Sequence, residues 1–403
     1  MSTVPVQNQK TNLGWWQSVA RMGRLYWTRF FACFGLLCGI LLSKPLWLTA
    51  RHFPLVPVFS RLPAIAYPLD YICLLGMIFL LVMIAVSSSP RIYILVLLVM
   101  LAVLGLFDQG RWQPWAYQYF VMLLVLGGVR WRDGRVVDEY ATLNIFRLMM
   151  ASIYLYSGLQ KFNPNFAGHV LPRLAGNEAG VTVAAGVLAI LPPIVEAAIG
   201  VGLLIRKVRP IAVLGAVAMH AMILVKLGPF GLNYNSVVWP WNVAMIAFDL
   251  LLFWKADFSF SDVLWNNKLA IQKVVLVLVL VMPFFSFLGW WDSYLSWSLY
   301  TGNVDGGNIF CSNLVAGQLP DYVQPYIAHV SDNNNQLTIR KWALGEMNVP
   351  PYPESRIYRA VGAAVCRMTN NSPELALYVR RKATILHADQ VTRYNCLDLT
   401  TQP

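Results

Sequence analysis

Long uninterrupted apolar runs, rather than alternation, set the pattern of this chain. They lie near 25–43, 69–87, 92–107, 114–129, 143–160, 181–204, 209–227, 236–254 and 270–290. Alternation would mark half-buried strands; continuous runs of about 20 apolar residues mark helices able to span a bilayer. A span must satisfy its backbone internally, and helices do so without a closed barrel. The third and fourth runs are short, so 92–129 reads as a tilted or partly re-entrant pair. Beyond about residue 291 the pattern changes. Turn clusters appear at "NVDGGN" and "SDNNNQ". "NQLTIRKWAL" reads as a strand, "YPESRIYRAVGAAVCRM" as a helix with Pro353 and Glu354 near its start, and "SPELALYVRRKA" as a helix or a strand. The expected architecture is an all-α polytopic membrane helix bundle of about nine spans with a small α/β extracytoplasmic C-terminal domain. Its parts are a cytoplasmic N-terminal segment, 1–24, a bundle, 25–290, and the domain, 291–403.

Composition agrees with this class. Of 403 residues, 57% are hydrophobic and 12% charged, about half the charge of a soluble domain. No short apolar core precedes a small-residue cleavage site in the first 25 residues, so the first span serves as the targeting signal. With the N-terminus inside, the inner ends of the runs hold Lys10, Arg21, Arg24, Arg29, Arg91, Arg130, Arg132, Arg135, Arg206, Lys207, Arg209, Lys255, Lys268 and Lys273. The outer ends hold Lys44, Arg51, Arg61, Arg111, Lys161, Arg173 and Lys226, half as many. That bias orients the chain with a cytoplasmic N-terminus and an extracytoplasmic tail in the plasma (inner) membrane. The net charge of +12 is then the charge of membrane-flanking cations at anionic headgroups, with no need of nucleic acid.

Three of the six cysteines, Cys33, Cys38 and Cys73, lie in the runs and read as packing residues. Cys311, Cys366 and Cys396 lie in the tail, where three pairings are possible; a Cys311–Cys396 bond would tie the two ends of the tail together. The sequence holds no CxxC, P-loop, GxSxG, GxGxxG or metal-ligand cluster.

Ionisable residues inside apolar runs are costly and face a partner or a cavity. Arg147 and Glu196 are expected to meet as a buried charge pair, and Asp249 reads as a solvated or paired helix-end residue. At the outer side, Lys161 closes the fifth run in "YLYSGLQKFNPNF". His220 lies in the seventh, and "GPFGLNYNSVVWPWN" leads into the eighth. Asn233, Asn235 and Ser236 are candidate helix caps, and Pro240 a candidate kink. Lys161, His220, Asn233, Asn235, Tyr154, Tyr156, Trp239 and Trp241 are expected to converge there. A desolvated lysine acts as a base, whereas a lysine at a helix end also snorkels to the interface.

"YLYSGLQKFNPNF" resembles a segment of the vitamin K-dependent gamma-carboxylases and their bacterial relatives, the HTTM superfamily. "AMHAMILVKLGPFGLNYNSVVWPWNVAMIAF" is similar to the later span pair of that family, and DoxX-like quinone-linked proteins share the Gly-x-x-Lys pattern more loosely. The resemblance covers roughly 20–290. It implies Lys161 as the base that deprotonates a quinol, with His220 near the developing oxyanion. It implies Tyr154, Tyr156, Asn233, Asn235, Trp239 and Trp241 around a quinone-like or lipid ligand. Gln160 stands where the family has the first of two lysines, and the short tail replaces the large β-rich region that holds peptide. A different class of function, a non-catalytic scaffold docking a partner through its C-terminal domain, stays open. A transporter ranks below both, since no inverted halves are visible.

Overall fold

The computed structural model describes residues 23–172 and 190–401. The expectations for the N-terminal segment to residue 22, for Arg173 and for the start of the 181–204 run lie outside these residues. The described chain forms a helix bundle with a small α/β domain against one end. The main helices are α1 (Arg24–Leu42), α2 (Leu69–Val86), α3 (Arg91–Phe107), α4 (Pro114–Gly128), α5 (Glu139–Leu159), α6 (Leu191–Leu204), α7 (Arg209–Leu227), α8 (Val238–Phe253) and α9 (Ala270–Leu288).

Among the described residues four helices, α1, α2, α7 and α9, are long and apolar enough to cross a membrane. This corrects the nine crossings read from the apolar runs. Helices α3, α6 and α8 are apolar but have 17 residues or fewer, about 26 Å at most against a hydrocarbon core of about 30 Å. Helix α4 has 15 residues and is almost wholly enclosed. Helix α5 has 21, but residues 142–154 are all buried within protein. An apolar run shows that a segment avoids water and does not say whether lipid or protein surrounds it. The outer helices keep one apolar face open: Ile72, Leu75, Phe79 and Val82 on α2, and Ile211, Leu214, Met222 and Val225 on α7, are exposed.

The end of the bundle away from the α/β domain is fastened by arginines. Helix α8 ends there, leaving carbonyls without helical partners. Arg24 donates to Leu251 O and Trp254 O, Arg147 Nε to Leu252 O at 2.8 Å, and Arg209 to Ala256 O and Phe258 O. The Arg147 and Arg209 guanidinium carbons stand 4.2 and 3.5 Å from the centre of the Phe258 ring. Cations at a helix C-terminus also oppose its dipole. In α9, Pro283 cannot donate and a π-helical turn, Val277–Val281, precedes it. Hydroxyls close the break: Tyr117 donates to Leu278 O and Tyr156 to Leu280 O.

The C-terminal domain holds a five-stranded antiparallel sheet built from β1 (Gly306–Cys311), β2 (Ile327–Ser331), β3 (Asn334–Thr338), β4 (Leu375–Arg381) and β5 (Gln390–Asn395), in the order β2-β3-β1-β4-β5. Helix α10 (Ser355–Met368) covers it. Ile357, Tyr358, Val361 and Val365 recur at helical spacing and are buried, while the charged Arg356, Arg359 and Arg367 lie off that face. "NQLTIRKWAL" divides into the end of β3 and a helix, Ile339–Met347, whose Trp342 is fully buried against Phe53 of the bundle. Cys366, in the last turn of α10, is bonded to Cys396, which opens a short helix packed on α10. Cys311 is a buried free thiol in β1, so the Cys311–Cys396 tie is corrected. The domain meets the bundle through Asn348 to Leu42 O and Ser236, Gln113 to Pro350 O, Arg356 to Gln109, and His52 to Glu346.

Candidate functional site

Helix α5 is the axis of the bundle, and its polar residues fall at one spacing. Arg147, Tyr154 and Lys161 are seven residues apart; the first two share one face of α5, and Lys161 lies in the turn just past its end. Arg147 meets the end of α8, Tyr154 meets His220 of α7 and Asp249 in the last third of α8, and Lys161 meets the start of α6.

Helix α6 comes close enough because glycines sit at the contact. A Cβ on Gly200 would lie 2.7 Å from Ala151 O and Leu155 N, and one on Gly158 would lie 2.5 Å from Ala197 N. Glu196 is thereby held against the end of α5. Its Oε2 accepts from Lys161 Nζ at 2.6 Å, and the same ammonium donates to Ser157 Oγ at 2.8 Å and Ser157 O at 3.1 Å. Three donors meet three acceptors. The two side chains are 10% and 13% exposed. Lys161 therefore folds back into the protein and does not reach out into solvent.

The Arg147–Glu196 pair is corrected by this geometry. The helix containing Glu196 begins at Leu191, so Glu196 stands at the domain end of the bundle, level with Lys161. Arg147 is 14 residues back along α5, roughly 20 Å away at 1.5 Å per residue. Arg147 meets instead Asn144 Oδ1 and Leu252 O.

Below Lys161 lies a buried chain of polar groups. The Tyr154 hydroxyl is 2.6 Å from Asp249 Oδ2 and 2.7 Å from His220 Nε2, and His220 Nδ1 is 2.7 Å from Asn242 Oδ1. The Asn242 amide is oriented by Nδ2 donating to Val238 O at 2.7 Å, so its Oδ1 accepts from His220 Nδ1–H. Counting hydrogens then decides the content of the chain. Three contacts need three protons, and a neutral imidazole, a phenol and a carboxylate bring only two. Three full hydrogen bonds at once therefore call for one further proton. It sits on Asp249, which then donates to Tyr154, or on His220 Nε2, and the Tyr154 hydroxyl links the two positions. Asp249 is fully buried and paired with the Tyr154 hydroxyl, the paired and not the solvated of the two expectations, and its Oδ1 has no hydrogen-bond partner among the described residues.

The other expected ligand residues are placed elsewhere. Tyr156 closes the break in α9, Trp239 Nε1 donates to Leu227 O, and Trp241 Nε1 donates to Gln118. Asn233 and Asn235 adopt left-handed backbone conformations in the loop before α8 and do not cap it. Asn235 turns toward Tyr300. Pro240 lies in the first turn of α8, where a missing N–H disturbs nothing, so the helix continues without a break. An open cavity of about 430 Å³, lined in part by Tyr140, Phe258, Ser259 and Asp262, opens at the end of the bundle opposite Lys161.

A second polar group, not anticipated from sequence, lies where α9 meets the domain. Lys382 Nζ donates to Ser286 and Ser293, and Asp305 accepts from the Lys382 and Ser355 backbone N–H groups. Glu354 accepts from Ser293 N–H at 2.7 Å. Asp292 holds Arg356 and the Tyr352 hydroxyl. Burial, with Asp292 beside it, pushes the Glu354 carboxyl up to about 7 against the opposing pull of Lys382.

No family model, curated protein or solved structure matches this chain. The functional reading rests on the geometry above.

Proposed function

We propose that this is an integral membrane protein that takes a proton from a flat, quinol-like or lipid ligand at the domain end of α5. The observation that carries the reading is the sheltered Lys161–Glu196 pair, with the buried Tyr154–Asp249–His220 group one level below it. Lys161 becomes a base by giving a proton to Glu196 as it accepts one from a ligand hydroxyl, so the pair acts as one unit and charge balances at each step. His220 belongs to the chain below, with Tyr154 and Asp249, and its role is to move or hold a proton there. The exposed faces of α1, α2, α7 and α9 meet lipid in this reading. The Cys366–Cys396 disulfide supports an oxidising, extracytoplasmic surrounding for the domain, and in this reading the cation-rich end faces the cytoplasm.

The test is mass spectrometry of lipids and quinones retained by the gently purified chain, beside Lys161→Ala and Glu196→Gln. A single retained ligand class, lost in both variants while the melting profile stays cooperative, supports the reading. Equal retention by all three proteins removes Lys161 from the site. A scaffold that docks a partner through its C-terminal domain is the second reading. It is favoured by the hydrogen-bonding groups of Tyr156, Trp239 and Trp241, all of which are engaged inside the protein. Stoichiometric copurification of a protein with no retained ligand favours that reading.

A further inference from the structure

We propose that the β4–β5 hairpin of the C-terminal domain dips into the bilayer beside α9 and anchors the domain to the outer leaflet. The hairpin turns at Thr384–His387. Thr384 N–H donates to His387 O at 2.9 Å, and Thr384 Oγ1 accepts from the backbone N–H groups of Leu386 and His387 at 3.2 Å. The turn is therefore fixed by its own hydrogen bonds. The two residues at its tip are Ile385 and Leu386, 71% and 61% exposed. Tight turns favour Gly, Asn, Asp, Pro or Ser, each for a conformational or hydrogen-bonding reason. Two large aliphatic side chains at the tip serve none of these reasons, and in water they are unfavourable.

Their position supplies the occupant. Ile385 N–H donates to Phe287 O at 2.9 Å, which holds the tip against the last turn of α9. Along α9 the exposed residues Val274, Val277, Val281 and Phe284 form an apolar face. Trp290, exposed and stacked on Phe285, follows at the helix end, where tryptophan marks the headgroup level. The tip carries the same apolar surface onward from a helix long enough to cross a membrane. Its first neighbour is therefore the lipid that meets α9. This inference rests on the membrane reading above, and the test separates the two.

The experiment uses the full chain in lipid nanodiscs, with Cys33, Cys38, Cys73 and Cys311 changed to alanine. One fluorophore is attached at Leu386→Cys, Phe79→Cys or Val330→Cys, and the nanodiscs contain either ordinary or acyl-brominated phosphatidylcholine. Phe79 lies on the exposed face of α2, and Val330 is exposed on β2, the strand at the sheet edge opposite β5. The expected result is strong loss of fluorescence at 386 and 79 in brominated lipid and none at 330. Loss at 79 with none at 386 overturns the anchor and leaves the membrane reading standing. No loss at 79 overturns the membrane reading, and the anchor with it.

Discussion

Glu354 gives a prediction whose sign and size follow from its surroundings. Its carboxyl is buried beside Asp292 and Asp305, with Lys382 as the near cation, and is pushed up to about 7 from an ordinary 4.5. Between those values the folded chain holds a proton that the unfolded chain has released. Stability therefore falls as pH rises through this window and levels off above about 7. The gap corresponds to about 3 kcal/mol at 1.36 kcal/mol per pH unit, or roughly 10 °C in melting temperature for a unit the size of this domain. Lys382 is pushed down by burial and acts in the opposite sense on the alkaline side, so the comparison is read over the acid and neutral range. Glu354→Gln keeps the acceptor for Ser293 N–H and removes the titration. Melts of both full-length proteins in detergent, from pH 4.5 to 8, should nearly coincide at the acid end. The variant should be the more stable by a few kcal/mol at the alkaline end. Taking the difference between the two proteins cancels the titrating groups remote from Glu354, leaving Glu354 with its neighbours Lys382, Asp292 and Asp305. If the two curves run parallel across the range, the burial argument for Glu354 is wrong.

The remaining predictions concern the site and the domain. Lys161→Met and Glu196→Gln should each cost about 2–3 kcal/mol, somewhat below the value for a fully buried pair. The double variant should cost clearly less than their sum, because neither change then strands a charge; additive losses in equilibrium unfolding would refute the pairing. Gly200→Ala sets a Cβ 2.7 Å from two backbone atoms that cannot move aside and should cost about 2–3 kcal/mol. Gly317→Ala, with nothing within 4 Å, should stay within about 0.5 kcal/mol in the same melts. Cys396→Ser, or reduction, should lower stability by about 3–4 kcal/mol, from the 30-residue separation of the bonded cysteines. A reductant that leaves the melt of the unmodified chain unchanged would show that the bond adds nothing.

How much of this was legible depends on what a linear pattern can carry. The apolar runs located the helices well: α2, α3 and α4 begin and end within a residue or two of the expected limits. The same runs could not tell lipid from protein as surroundings, since a buried helix and a membrane helix exclude water alike. Arg147 was expected to seek a carboxylate, whereas the ends of α8 offered it carbonyls, which no residue type in the sequence advertises. Glu196 was assigned the wrong depth because the run containing it starts earlier than the helix described. Asp249, Tyr154 and His220 meet from three helices across separations of 66 and 95 residues, and only tertiary packing brings them together.

One signal was present in the sequence and carries more than any single residue. Arg147, Tyr154 and Lys161 recur every seven residues, the first two on α5 and the last in the turn that ends it. The helix ends at Leu159, and Lys161, in the turn that follows, folds back onto Ser157 and reaches Glu196 of α6. An enclosed helix cannot leave such groups unpaired without losing stability at each level. The stripe therefore required polar partners from three surrounding helices at three depths, and the structure holds them there: a carbonyl, an acid and imidazole, and a carboxylate. The order along α5 runs from a cation fixed on backbone, through a buried acid and imidazole, to an ammonium–carboxylate pair at the domain end. In the function proposed above, only the last two of these levels handle a proton, and Arg147, fixed on Leu252 O and Asn144, serves the fold.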